Sequence, residues 1–166
     1  MIEAWRVAAP ERSRSVDEML SGRGPLLNGG RWNSPGRRAV YLGGSLALAS
    51  LELLVHLKAP DVLRRYRGLR VLIPETLITE VTLRDLPGGW DRPDLHPATQ
   101  AIGDRWLESL ESVVLRVPSA VVPGEVNYVA NPAHAGFAEL EPGSIADFRY
   151  DPRLGGRPGL RSAGRR

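Results

Sequence analysis

Gly29-Gly30-Arg31-Trp32-Asn33-Ser34-Pro35-Gly36, then Ala39-Val40-Tyr41-Leu42, then Ser45 and the apolar run from Leu46 to Leu57 that carries Glu52, is the stretch on which the reading of this chain turns. A glycine-flanked arginine is followed by a short β-rich segment, 38–42, bounded by Pro35-Gly36 and Gly43-Gly44, the pattern of a strand between turns. Ser45 is a good helix N-cap, and the run to Leu57, closed by Pro60, predicts a helix. That helix is apolar nearly all round, which predicts burial. Its polar members are Ser50, Glu52 and His56. A buried carboxylate costs several kcal/mol unless something pairs with it. Two readings of Glu52 stand at this point: a structural ion pair with an arginine, and a ligand site. Glu52 and His56 are four apart and share a face, which Ala49 continues with a small side chain that leaves room for a ligand. Arg31, Tyr41 and Glu52, brought together by a short turn and a helix, imply a pocket for an anionic, aromatic-bearing ligand.

On either side of this stretch the elements are short. Residues 3–7 alternate as a strand, and 15–20 form a short helix. Strands are predicted over 69–74, 77–83 and 112–117, with weaker ones over 127–130 and 147–150. Residues 97–110 carry Ala98, Ala101, Ile102, Arg105, Trp106 and Leu110 at helical spacing. Trp90 and Trp106 read as core residues, and Asn127-Tyr128 and Asn131-Pro132 as turns. Many short strands with two principal helices indicate an α+β fold. There is no internal repeat. The chain reads as a single domain over 1–154 followed by a basic, flexible tail over 155–166.

The chain has 166 residues, enough for one domain with a real core. An apolar content of 42% and a charged content of 25% are ordinary for a globular protein. The absence of cysteine excludes disulfides and thiolate metal sites. No basic-then-apolar leader and no run of about 20 apolar residues is visible, so the expected location is the cytoplasm, with no membrane contact. The net charge of +3 misleads. Five of the 22 basic residues follow Pro152, which leaves 17 against 19 acids in residues 1–152. The body is therefore near neutral, whereas nucleic-acid binders show a basic face, and direct nucleic-acid binding is not expected.

Several chemistries lack their motifs. There is no GxGxxG and no Walker-type phosphate loop. His56, His96 and His134 are far apart and have no Cys or HExxH partner, so no metal is expected. Ser119 lacks the GxSxG elbow of a hydrolase nucleophile and reads equally as an ordinary strand-end hydroxyl after proline.

Taken together, these residues resemble the RES domain family, named for an arginine, a glutamate and a serine that match Arg31, Glu52 and Ser119. The segments 29–33, 39–41, 51–57, 117–120, 127–128 and 131–132 fall in the family's order, and 148–154 is similar to its closing segment. The resemblance covers about residues 3–154. It implies an ADP-ribosyltransferase-like split β-sheet with flanking helices. It also implies a toxin of a type II toxin–antitoxin pair that consumes NAD⁺ by cleaving the nicotinamide–ribose bond, through hydrolysis or phosphorolysis. The alternative it implies is a mono-ADP-ribosyltransferase that modifies a specific protein. On this reading NAD⁺ is a substrate and no metal is required. Arg31, Tyr41, Glu52 and Ser119 are the catalytic set, and Arg31, Tyr41, Ser119 and Asn127 bind the dinucleotide. Glu52 suits a cationic transition state. Arg31 suits the pyrophosphate, with Arg6 and Arg38 as alternatives. Tyr41 suits the nicotinamide face. The implied partners are an Xre-type helix-turn-helix antitoxin, a protein acceptor of ADP-ribose in the alternative reading, and a second copy of the chain within the complex.

Overall fold

The computed structural model describes residues 1–62, 64–94 and 97–155. His96 and most of the predicted tail, 156–166, lie outside the described residues. Seven strands form one sheet: β1 (Ile2–Ala8), β2 (Val40–Gly43), β3 (Tyr66–Ile73), β4 (Ile78–Glu80), β5 (Val114–Pro118), β6 (Val126–Ala130) and β7 (Glu141–Phe148). Their order is β4-β5-β6-β2-β1-β3-β7. Every neighbouring pair is antiparallel except β4–β5. The helices are α1 (Val16–Met19), α2 (Arg23–Asn28), α3 (Leu46–Leu54), α4 (Ala59–Val62) and α5 (Pro97–Ser109). The parallel β4–β5 pair needs a crossover, which α5 supplies. The predicted α+β class is what the chain adopts.

Strand alternation divides the core. Val114, Tyr128 and Ala130 join one cluster with Leu42, Leu69, Val71 and Ile73, beneath Met19 and Leu20. Their intervening neighbours Leu115, Val117 and Val129 join another with Trp32, Trp106 and Leu107. A third cluster packs Val7, Ala49, Val62, Tyr66 and Tyr150 around the foot of α3.

The sheet is nearly divided in two. β1 and β3 pair along seven residues, and β2 pairs with β6 along four, but β1 and β2 meet only at Trp5↔Gly43. Beyond that pair the strands part. The Arg6 guanidinium stands at the parting and donates to the Tyr41 carbonyl across 2.9 Å.

The α3 helix is shorter and less buried than its sequence predicts. It ends at Leu54, and only Leu48, Ala49 and Ser50 are buried. Leu51 and Val55 are exposed, as is His56, which makes no hydrogen bond or ion pair with Glu52. Ser45 caps the helix, accepting from the Leu48 amide at 3.0 Å. Ala49 is small for packing, and makes no room for a ligand: a Cβ at Gly43 would lie 2.5 Å from the Ala49 nitrogen. This contact seats the helix directly on β2. Asn127-Tyr128, read both as part of a weak strand over 127–130 and as turn residues, lies inside β6, so the strand reading holds. The α5 stripe is also rotated from its expected face: Thr99, Gly103, Trp106 and Leu107 are buried, whereas Arg105 and Leu110 are exposed.

Candidate active site

The segment 29–34 is a tight turn held from three sides. Gly29, at φ +71°, closes α2 by donating to the Pro25 carbonyl at 2.8 Å. Gly30 and Asn33 form an isolated bridge. The fully buried Asn33 side chain donates to the carbonyls of Pro25, Ser34 and Arg37. The Tyr41 hydroxyl donates to Asn33 Oδ1 at 2.7 Å and accepts the Trp32 amide at 3.0 Å. A Cβ at Gly30 would sit 2.5 Å from that hydroxyl, so only glycine admits the tyrosine. Burial raises the Tyr41 pKa far above its usual value, which keeps the phenol a neutral donor.

From the far side, α5 docks on the same turn. Gln100 donates to the Gly30 carbonyl at 3.0 Å, and Asp104 accepts the Ser34 amide at 2.9 Å. Gly103 lies so close that a Cβ would fall 1.8 Å from the Trp32 carbonyl oxygen. Sequence reasoning missed these three. The signal was there at i, i+3 and i+4, but polar residues and glycine carry no weight in an apolar stripe.

Arg31 is placed differently from a free phosphate clamp. Its Nη1 and Nη2 donate to the carbonyls of Trp90 and Arg92, at 2.5 and 2.7 Å. The arginine thereby ties the segment 90–92 over the turn, while the Trp90 ring packs against Trp32 with centroids 6.4 Å apart.

The second half of the site is built by α3, β5 and β6. Glu52 lies one turn beyond Ala49, on the face that Gly43 receives, and Gly43 pairs with Asn127. Glu52 Oε1 accepts from Ser119 Oγ at 2.7 Å and from Asn127 Nδ2 at 2.5 Å. Oε2 has no hydrogen bond among the described residues. Ser119 also accepts the amides of Val121 and Val122, at 3.1 and 3.0 Å, so its one donor and two acceptor positions are all used inside the protein. Asn127 Oδ1 is screened from solvent and has no donor among the described residues. Among the described residues no arginine ion-pairs with Glu52, whose partners are instead a hydroxyl and an amide.

The structure thus brings Glu52, Ser119 and Asn127 into one hydrogen-bonded group, and Arg31 and Tyr41 into another around the turn. The two groups are joined through the sheet, since Tyr41 and Asn127 lie two positions apart across paired strands. A cleft of about 590 Å³ opens beside them, with Trp90, Arg84, Arg116, Pro118, Ser119 and Val126 in its walls; of the five predicted site residues it is lined by Ser119, and not by Arg31, Tyr41, Glu52 or Asn127. A second depression, of about 630 Å³, between Leu86-Pro87 and the exposed side of α5 contains none of the predicted site residues. No cluster of three or more His, Asp or Glu side chains fit to hold a metal occurs among the described residues. No helix among them is long and apolar enough to cross a membrane.

Comparison with known proteins identifies the family. A family model described as the RES domain matches residues 3–151. A protein of Sphingobium sp. strain YBL2 named Prs ADP-ribosylating toxin is 36% identical over 154 residues, covering 90% of this chain and 94% of its own. A protein of Photorhabdus laumondii named Toxin Res is 40% identical over 144 residues, covering 86% and 92%. Among solved structures, the Mycobacterium tuberculosis MbcT–MbcA toxin–antitoxin complex contains a chain similar at a TM-score of 0.72, with 23% identity, over 92% of this chain and 86% of that one. That likeness carries the fold. With a family match from the first strand to the last and relatives aligned nearly end to end, the chain belongs to the RES domain family.

Proposed function

We propose that this chain is a toxin that consumes NAD⁺ by breaking the bond between nicotinamide and ribose. One observation carries the reading: Glu52 Oε1 is fixed by Ser119 and Asn127, which leaves Oε2 for a ligand. As the C1′–nitrogen bond breaks, its electron pair goes to the pyridinium nitrogen and neutral nicotinamide leaves. Positive charge then develops on the ribose, as in glycoside hydrolysis. A fixed carboxylate beside that carbon stabilises the charge without reorganising. An acceptor with a lone pair bonds C1′ and gives up a proton. In this reading Ser119 positions Glu52, and Asn127 Oδ1 takes an N–H or O–H of the substrate. Tyr41 supports the turn and offers its face to the nicotinamide. Arg31 keeps its Nε–H and its second Nη hydrogens for phosphate oxygens.

The acceptor is water or phosphate in the first reading. A protein side chain is the second reading, favoured by the name of the Sphingobium relative. The test is mass spectrometry of the products formed from NAD⁺ by purified protein, with and without phosphate. Free ADP-ribose, ADP-ribose phosphate and modified protein are separate outcomes. Intact NAD⁺ with no labelled protein, from well-folded chain, sinks the reading.

An enzyme that degrades NAD⁺ in the cytoplasm harms its own cell, so the reading includes an antitoxin that holds it inactive. The similar Mycobacterium tuberculosis chain was solved in complex with an antitoxin, which supports a partner of that kind. The Xre type and a second copy of this chain within the complex belong to the same proposal. Co-expression with the neighbouring open reading frame, followed by mass measurement of the purified assembly, tests both.

A further inference from the structure

The α5 helix carries two stripes. One, of Thr99, Gly103, Trp106 and Leu107, is buried. The other, of Ala98, Ala101, Ile102 and Arg105, has the i, i+3, i+4, i+7 spacing of an apolar face that ends in a cation. Ala101 and Arg105 are exposed, and Ala98 and Ile102 are half-buried. These four make one wall of the depression of about 630 Å³, and Leu86-Pro87 lies opposite. Its charged members are Arg84, Asp85 and Arg105. The Asp85 carboxylate is engaged by the Thr82 hydroxyl and amide, at 2.7 and 2.8 Å. Neither the Arg84 nor the Arg105 guanidinium has a hydrogen bond or ion pair among the described residues.

The depression adjoins the cleft beside Ser119. The short turn Leu83–Asp85 stands between them, and Arg84 belongs to the walls of both. Leu83, on the same turn, is 65% exposed and faces the cleft. Within the cleft Arg116 is ion-paired with Glu80, which leaves Arg84 and Arg105 as the guanidinium groups available to a partner. An apolar floor between unpaired arginines has the make-up of a protein interface, an apolar centre with a polar rim. Its charge selects carboxylates on whatever covers it. A polypeptide seated on that floor and crossing over Arg84 enters the cleft at Ser119, whose hydroxyl holds Glu52. Water or phosphate as the acceptor of ADP-ribose has no use for such a surface. A protein acceptor does, because it must be held while one of its side chains reaches the ribose carbon.

We propose that the depression between Leu86-Pro87 and α5 docks the protein acceptor of ADP-ribose. It does so through a segment of apolar side chains flanked by carboxylates, which continues over Arg84 to the cleft beside Ser119. The inference rests on the second reading above, in which the acceptor is a protein. The acceptor's heteroatom bonds C1′, the bond from C1′ to the nicotinamide nitrogen breaks with its electron pair going to nicotinamide, and the acceptor's proton passes to water. The apolar contacts hold the segment, and the two arginines fix the direction in which it runs.

The test selects a phage-displayed random peptide library on the purified full chain, as wild type, Arg105→Glu and Ala101→Gln. Selected peptides are synthesised, their affinities measured by fluorescence anisotropy, and each is incubated with biotin-labelled NAD⁺ and the protein. Thermal melting reports whether the variants are folded. The wild type should select peptides that combine large apolar residues with Asp or Glu, and should transfer label to them. Their affinity should fall about threefold to tenfold in Arg105→Glu, which should itself select basic peptides in place of acidic ones. Ala101→Gln, which places a polar side chain on the floor, should weaken them by about the same factor. Cleavage of NAD⁺ without peptide should be unchanged in both variants, since neither position touches the site. Selected peptides whose affinity is equal in wild type and folded variants overturn the proposal, and so does the absence of selected peptides. If Arg105→Glu does not fold, wild-type affinity in Arg84→Gln overturns it instead. Labelled peptides that ignore both substitutions uphold the protein-acceptor reading and remove the docking surface. Peptides that bind through Ala101 and Arg105 but take up no label, while NAD⁺ is cleaved, overturn the acceptor assignment and leave the NAD⁺ reading standing.

Discussion

Ser119 Oγ donates to Glu52 Oε1 across 2.7 Å while it accepts the main-chain amides of Val121 and Val122. The residues are 67 positions apart, and their link ties the end of β5 to the middle of α3. Each partner fixes the other. The two amides leave the hydroxyl hydrogen one direction in which to point, and Asn127 donates to the same carboxylate oxygen, so the Glu52 side chain is held before any substrate arrives.

Glu52→Gln separates charge from shape. The amide oxygen still accepts from Ser119 and Asn127, and the amide nitrogen replaces the unengaged Oε2. The fold should survive. Turnover of NAD⁺ should fall by roughly 10²–10³, the effect of losing one electrostatic contributor to a charged transition state. Initial rates together with a thermal melt check this. Wild-type turnover would return Glu52 to a structural role.

Ser119→Ala removes no charge but frees the carboxylate and leaves two amides without an acceptor. A buried donor left unsatisfied costs about 1–3 kcal/mol. We expect a lower melting temperature and a lower kcat together, with KM for NAD⁺ changed less than kcat. A loss confined to KM would instead indicate that Ser119 touches the substrate directly.

Arg31→Lys tests the tie to the 90–92 segment. A lysine ammonium is a point charge and does not reproduce a planar fork on two carbonyls. The segment should loosen, which tryptophan fluorescence reports through Trp90 stacked near Trp32. NAD⁺ cleavage should fall about tenfold or more. Unaltered fluorescence with unaltered rates would show that neither the tie nor a phosphate contact depends on the fork.

Much of this site was legible in the sequence because its signals are local. Gly29-Gly30 before Arg31, the strand through Tyr41, the cap at Ser45 and Glu52 within the following helix are all readable at short range, and the family pattern added Ser119 and Asn127. What escaped notice depends on distant chain. Residues 46–57 look buried all round because apolarity says which side chains prefer the core, not how much core is available; Leu51 and Val55 are left outside. Gly103 and Gln100 are read as helix filler until the turn at 30–34 is laid against them. Arg6 is legible as an alternative phosphate contact, but the alternation of its strand gives no hint that β1 and β2 separate beside it.

Gly103→Ala is a one-carbon change with a defined collision. The new methyl would lie 1.8 Å from the Trp32 carbonyl oxygen, and main chain cannot rotate away as a side chain can. Either α5 or the 30–34 turn must move. Overpacking of this kind costs about 1–3 kcal/mol, occasionally more, which for a chain of this size lowers Tm by roughly 2–4 °C per kcal/mol. Because the turn carries Arg31 and supports Tyr41, NAD⁺ cleavage should fall as well, at temperatures where the variant is still folded. An unchanged melt and rate would show that α5 shifts freely and does not set the turn.

Tyr150→Phe gives a pH signature on α3, two residues before Glu52. The Tyr150 hydroxyl donates to the Ser50 carbonyl at 2.5 Å, and its ring packs edge-on against Tyr66 and Phe148. Burial, and then the neighbouring Tyr66, push its pKa up from 10.0 to about 12. The folded state thus holds the phenolic proton more tightly than the unfolded state. The resulting stabilisation is complete below the unfolded value of 10.0 and is lost as pH rises through about 12. Phenylalanine lacks the titrating group and leaves the Ser50 carbonyl without that donor. Below pH 10 the wild type should be the more stable by about 0.5–1.5 kcal/mol, the net worth of one hydrogen bond. The gap should close between pH 10 and 12, because the unfolded wild type gains from ionising before the folded one does. Urea unfolding of both proteins at pH 8 and again near pH 11 measures it, and a gap that stays constant would show that Tyr150 titrates alike in both states.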